Sequence, residues 1–130
     1  MKRHLLRKRT MKYLYGHLLL KKPLFQLVIE EGHLMKPNGD TYIVELLKNI
    51  EMNEENYILD INPFLKDWTF ERLAYVDQAI LLLAIAEMNL KQDDVAVIID
   101  EAIRLAKTYS DDEAYAYINA VLDGYDKKYS

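Results

Sequence analysis

From Ala79 to Ala86 the chain reads Ala-Ile-Leu-Leu-Leu-Ala-Ile-Ala, eight consecutive residues with none that suits water. A helix that is apolar on every side has to be wrapped by other elements. The run is also far too short to cross a bilayer, which takes about 20 such residues. In the longer stretch Phe70–Met88, the residues Leu73, Val76, Ile80, Leu83 and Ala84 recur at helical spacing. The expectation is a central core helix, surrounded by the other helices of a small water-soluble domain.

The flanking segments read as helices too. One is predicted from about Lys2 to Leu20, stopped by Pro23, with Met11, Leu14 and Leu18 as its apolar stripe and Arg7 continuing that stripe. A second runs from Leu24 to near Leu34, and Pro37-Asn-Gly-Asp40 is a turn. Asp40 suits the N-cap of a third helix ending near Ile50. A fourth spans Glu54–Leu65 and is kinked or ended at Asn62-Pro63. After a polar connection at residues 89–94, Val95, Ile98, Ile99, Ala102, Leu105, Ala106 and Tyr109 keep unbroken helical spacing, with an outer Asp100–Arg104 pair. Ser110-Asp-Asp-Glu113 has the form of a capping box for a last helix burying Ala114, Tyr117, Ile118, Val121, Leu122 and Tyr125. No strand-like alternation of useful length intervenes. The predicted fold is all-α, a compact bundle of about seven helices in one domain over 1–130.

Charge divides the chain. Residues 1–22 hold eight of the 17 basic residues (Lys2, Arg3, Arg7, Lys8, Arg9, Lys12, Lys21 and Lys22) and no acid, so nine bases face 21 acids elsewhere. A basic leader on an acidic body suggests two kinds of partner surface. Lys8, Lys12 and Tyr15 share a helix face at i, i+4 and i+7. Single-stranded RNA binding uses such sets, since ammonium groups neutralise phosphates and a ring stacks on a base. The competing reading makes Tyr15 a half-buried packing residue.

Catalytic signals are weak. His4, His17 and His33 show no metal-ligand spacing, and the single Glu30-Glu-Gly-His33 lacks the second copy a di-iron bundle needs. There is no Gly-rich phosphate loop. Asp77 and Glu87, ten residues apart on one helix, are separated by roughly 15 Å of rise and cannot cooperate. Glu87 suits a buried structural hydrogen bond or ion pair, and Asp77 lies at the stripe's edge, where a partner protein could reach it. The absence of cysteine excludes disulfides and thiolate metal sites and suits a reducing cytoplasm. No signal peptide is visible. The expectation is a non-enzymatic cytoplasmic protein without cofactor, metal or membrane contact.

The blocks Arg72-Leu-Ala-Tyr-Val-Asp-Gln-Ala-Ile-Leu81, Ala84-Ile-Ala-Glu87, Val97-Ile-Ile-Asp-Glu-Ala-Ile-Arg-Leu-Ala-Lys107 and Tyr117-Ile-Asn-Ala-Val-Leu-Asp123 resemble the NusB family of transcription antitermination factors. Leu14-Tyr15 after a basic start fits the family's first helix, and the strong match covers about residues 68–124. The resemblance implies two packed helical subdomains and pairing with NusE, a small-subunit ribosomal protein. It further implies binding of boxA-type single-stranded RNA in nascent ribosomal RNA transcripts, within an RNA polymerase antitermination complex. By position, Arg7 and Tyr15 match basic and tyrosine positions of the RNA-binding helix, where Arg3, Lys8 and Lys12 add charge. Glu113 and Tyr117 match an acidic and an aromatic position at the RNA-facing edge, and Asp77 matches an acidic position on the NusE side. The departures are Leu5 and Lys12 in the first helix, and Leu82, Ala86 and Ala120 further on.

Two expectations follow from this reading. Four neutralised phosphates give a log–log salt slope near −3. Replacing Arg7 and Tyr15 by alanine weakens RNA binding with the melting temperature nearly unchanged. The alternative assignment is an accessory domain related to the N-terminal domain of RNA cytosine methyltransferases, disfavoured by a chain that ends at Ser130. A module binding protein alone through the acidic body is a third. RNA sequence preference and the choice between monomer and homodimer stay open.

Overall fold

The computed structural model describes residues 3–31, 40–66 and 68–129. Among these residues the chain forms only helices: α1 (Arg3–Leu20), α2 (Leu24–Glu31), α3 (Asp40–Ile61), α4 (Tyr75–Leu90), α5 (Val95–Tyr109) and α6 (Ala114–Tyr129). Short 3-10 turns occupy Asn62–Phe64 and Phe70–Arg72. The all-α expectation holds, with six α-helices where about seven were expected. The difference lies in α3, which runs unbroken for 22 residues through the gap expected after Ile50. Nothing at residues 51–53 breaks a helix, and the Asn53 side-chain amide donates back to the Asn49 backbone carbonyl at 2.8 Å. Asn62-Pro63 ends the helix as expected. Asn62 then accepts from the Phe70 amide at 2.8 Å, closing the turn between α3 and α4. The turn expected at Pro37–Asp40, the capping side chain of Asp40 and the Glu30–His33 motif lie outside the residues whose side chains are described.

Helix α4 is the centre. Every residue from Ala79 to Ala86 is at most 2% exposed, and α1, α3, α5 and α6 all pack against it. Burying each leucine or isoleucine of this run contributes about 2 kcal/mol. The helix starts only at Tyr75, because Leu73 and Ala74 are extended. It stops where Lys91 takes a left-handed conformation, with the Gln92 amide donating back to the Glu87 carbonyl.

A side-chain tie joins α1 to α3. His17 Nδ1 lies 2.6 Å from the Lys22 carbonyl and Nε2 2.8 Å from the Glu54 carboxylate. Both partners only accept, so the ring satisfies both as the doubly protonated imidazolium. The Glu54 hydrogen bond raises the His17 pKa above 6.5, against the opposing effect of burial. A raised folded-state pKa gives stability that is complete below the unfolded value and is lost as pH climbs through the folded one. Thermal melts are therefore expected to show a decline beginning near pH 6.5 and continuing above it. His17→Gln should flatten that decline.

Candidate nucleic-acid interface

Helix α1 is set by its buried side, which contains Leu6, Arg7, Thr10, Met11, Tyr13 and Leu14. The face next to it carries the predicted set. Lys12 is exposed, Lys8 is half-buried, and Tyr15 is 40% exposed, so its ring is offered to solvent. The Lys8 ammonium stands 5.9 Å from the centre of the Tyr109 ring, at the last turn of α5. That contact brings the basic helix beside the α5–α6 junction, where Glu113 and Tyr117 reside.

Arg7 is placed differently from the expectation. It is 3% exposed, and its guanidinium donates from Nε to the Glu87 carboxylate at 2.8 Å and from Nη2 to Asp93 at 2.7 Å. Glu87 also accepts the Tyr42 hydroxyl at 2.5 Å. Burial pushes the Glu87 carboxyl up, while Tyr42 and Arg7 favour its anion. Burial also works to lower the Arg7 pKa, but the opposing pull of Glu87 leaves it raised. A guanidinium stays protonated in proteins, and at 2.8 Å from it Glu87 is read as the carboxylate. Glu87 is thus the buried ion-pair member foreseen, and its partner is a residue expected to meet RNA. Arg3 is drawn to the same corner, bonded to Asp93 at 3.0 Å and lying 4.2 Å over the Tyr42 ring. The two arginines fasten α1 to the α4–α5 connection, and the outward cations of the set are lysines.

Asp77 also departs from its expected setting. It is 5% exposed, which puts its carboxylate out of a partner's direct reach. It accepts the Ser110 hydroxyl at 2.5 Å and the Tyr117 hydroxyl. Ser110 therefore bonds to the central helix, and α6 begins at Ala114 with the Ser110 hydroxyl engaged elsewhere than in the expected capping box. Burial first, and then the Asp77 carboxylate, push the Tyr117 hydroxyl far above its ordinary pKa. Asp77 fixes where the α5–α6 junction sits. Asp77→Ala leaves two hydroxyls without their acceptor, at about 1–3 kcal/mol. Calorimetric melting should register the loss, and Asp77→Asn should retain part of it.

Three residues that sequence reasoning did not select also sit here. Tyr109, assigned to the apolar stripe of α5, is 37% exposed, and Tyr115 is 39% exposed with the Lys107 ammonium 4.7 Å from its ring centre. The signal available was one lysine and two tyrosines, Lys107, Tyr109 and Tyr115, within nine residues, masked by the capping-box pattern between the tyrosines. Glu113 is exposed on the same junction. The expected Asp100–Arg104 pair is replaced by Arg104 with Glu101, at 3.8 Å. Among the described residues no group of His, Asp or Glu is arranged to hold a metal ion. No described helix is long and apolar enough to cross a membrane.

Comparison with known proteins places this arrangement. A model of the NusB family matches residues 4–127. The transcription antitermination protein NusB of Clostridium kluyveri is 42% identical over 104 residues, covering 78% of this chain and 66% of that protein. NusB of Macrococcus caseolyticus is 41% identical over 87 residues, covering 66% of each. For NusB of Crocosphaera subtropica the match is 43% over 81 residues, 62% of this chain and 39% of that protein. The matched region thus spans between 39% and 66% of these relatives' lengths. Among solved structures, T. maritima NusB superposes with a TM-score of 0.89 at 27% identity, over 98% of this chain and 92% of that one. A crystal structure of antitermination factors NusB and NusE in complex with dsRNA gives 0.80 at 26% identity, over 99% and 100%.

Proposed function

The chain belongs to the NusB family, and from that membership we propose that it is an RNA-binding transcription antitermination factor. On this reading it acts in the cytoplasm as one domain, an adaptor and not a catalyst. It pairs with the ribosomal protein NusE and binds boxA-type single-stranded RNA in nascent transcripts, as part of an RNA polymerase antitermination complex.

The observation that carries the reading is the outward face of α1, where Lys12 and Tyr15 are exposed on a helix whose other side is locked into the core. Lys8, Lys12 and Arg3 supply charge, Tyr15 a stacking ring, and Glu113 and Tyr117 the neighbouring edge. Arg7 serves by holding the helix in place. Asp77 acts through the junction it anchors, so any effect on NusE would be transmitted by Ser110 and Tyr117. An exposed ring suits unstacked bases, which a double helix hides.

The test is fluorescence anisotropy with labelled boxA RNA, with and without NusE, against single- and double-stranded competitors. Tight binding that NusE strengthens and single strands displace supports the assignment. No binding at low salt in either mixture removes it.

A further inference from the structure

We propose that Asp93 is a built-in competitor for RNA phosphate, holding Arg3 until a strand takes the guanidinium from it. The inference rests on the RNA-binding reading and adds a restraint to it.

Asp93 Oδ2 is shared by two arginines, accepting from Arg7 Nη2 at 2.7 Å and from Arg3 Nη1 at 3.0 Å. The two bonds differ in how readily they can be given up. Arg7 is buried and tied to Glu87, so it pins the Asp93 carboxylate in place. The Arg3 side chain is 41% exposed, at the first residue of α1. Its guanidinium is engaged through one nitrogen. Nη1 also donates to the Gln92 carbonyl at 3.3 Å, while Nε and Nη2 have no hydrogen-bond partner among the described residues. The Tyr42 ring, 4.2 Å away, backs the same group. Such an end-on contact is weaker than the two-pronged bond a guanidinium forms with a phosphate. A phosphate can meet the open Nε–Nη2 edge first and then draw the group off Asp93. Asp93 keeps Arg7 as its partner, so the exchange leaves no carboxylate without a cation.

Position gives the contact its consequence. Five residues separate Arg3 from Lys8, which puts them roughly 140° apart around the helix. While Asp93 holds it, the Arg3 charge is kept on another side of α1 from Lys8, Lys12 and Tyr15. The charges of Arg3, Arg7, Glu87 and Asp93 also cancel, so this corner offers an approaching phosphate little attraction. A strand already seated on Lys8 and Lys12 overcomes that, because it presents its next phosphate to Arg3 at high effective concentration.

The experiment titrates the full chain, with and without NusE, against labelled boxA RNA. Asp93→Asn leaves Arg7 an acceptor but removes the charge, and it is expected to tighten binding about fivefold, the upper worth of a partly exposed ion pair. Asp94→Asn removes a neighbouring exposed charge that bonds neither arginine, and should change affinity by less than about twofold. On an Arg3→Ala background, Asp93→Asn should bring no gain. Asp93→Asn binding no tighter than the native chain overturns the proposal. An equal gain from Asp94→Asn, or on the Arg3→Ala background, also overturns it, since either marks a general charge effect. Misfolding does not produce tighter binding, and the native protein gives a second readout by nitrogen NMR. Adding RNA should shift the Arg3 Nε–H signal and leave that of Arg7 in place; an unmoved Arg3 signal contradicts the exchange. Failure of the native chain to bind RNA in either mixture removes the RNA-binding reading and this inference together.

Discussion

Replacing Arg7 by alanine is expected to lower the melting temperature by roughly 10–20 °C. The substitution leaves Glu87, 1% exposed, as a buried carboxylate without its cation. Breaking such a pair from one side costs about 3–5 kcal/mol. A chain of this length changes by roughly 4 °C per kcal/mol. Asp93 loses a 2.7 Å partner as well, although it is partly solvated and adds less. Arg7→Leu with Glu87→Leu should recover part of the loss, because replacing a buried pair by apolar residues is often neutral. Recovery stays incomplete, since the Tyr42 hydroxyl is then left without its acceptor. Differential scanning calorimetry decides the matter. An Arg7→Ala protein melting with the native one would mean that the pair does not form. The result expected from sequence, weaker RNA binding at unchanged stability, is thus assigned to different residues.

Lys12→Ala with Tyr15→Ala is the variant expected to show that result. Loss of one stacked ring weakens single-strand binding by roughly tenfold, and loss of one phosphate contact adds to it at low salt. Together the two should reduce affinity by about 100-fold. Both side chains are exposed on α1, so stability should change by no more than about 0.5 kcal/mol. Anisotropy and calorimetry on the same preparation separate the two quantities. A melting temperature that collapses with the affinity would return Tyr15 to a packing role.

The scaffold was legible because its signals are local and strong. The run at residues 79–86 admits only burial, the periodicity of α5 marks its core side, and Asn62-Pro63 ends a helix wherever it falls. What failed was local punctuation without a breaker. Residues 51–53 looked like a gap, but nothing there opposes α3. The candidate site was half legible. The face of Lys8, Lys12 and Tyr15 follows from spacing alone. Arg7 sat on the apolar stripe of its own helix, which was the correct warning that it is buried. Its partners, 80 and 86 residues away, have no signature in spacing. Asp77 shows the same limit: its bonds to Ser110 and Tyr117 draw three helix ends together, and the capping-box pattern concealed one of the donors.

The most direct measurement is the salt dependence of RNA affinity, compared between the native chain and the Lys12→Ala variant in the presence of NusE. With Arg7 buried against Glu87, Arg3, Lys8 and Lys12 are left as the phosphate contacts of the RNA-binding face. Three contacts predict a log–log slope of about −2 for single-stranded RNA, shallower than the −3 expected from sequence. Lys12→Ala should bring the slope to about −1.4. A slope indistinguishable from zero, or one that Lys12→Ala leaves unchanged, would contradict the assignment of the α1 face to RNA.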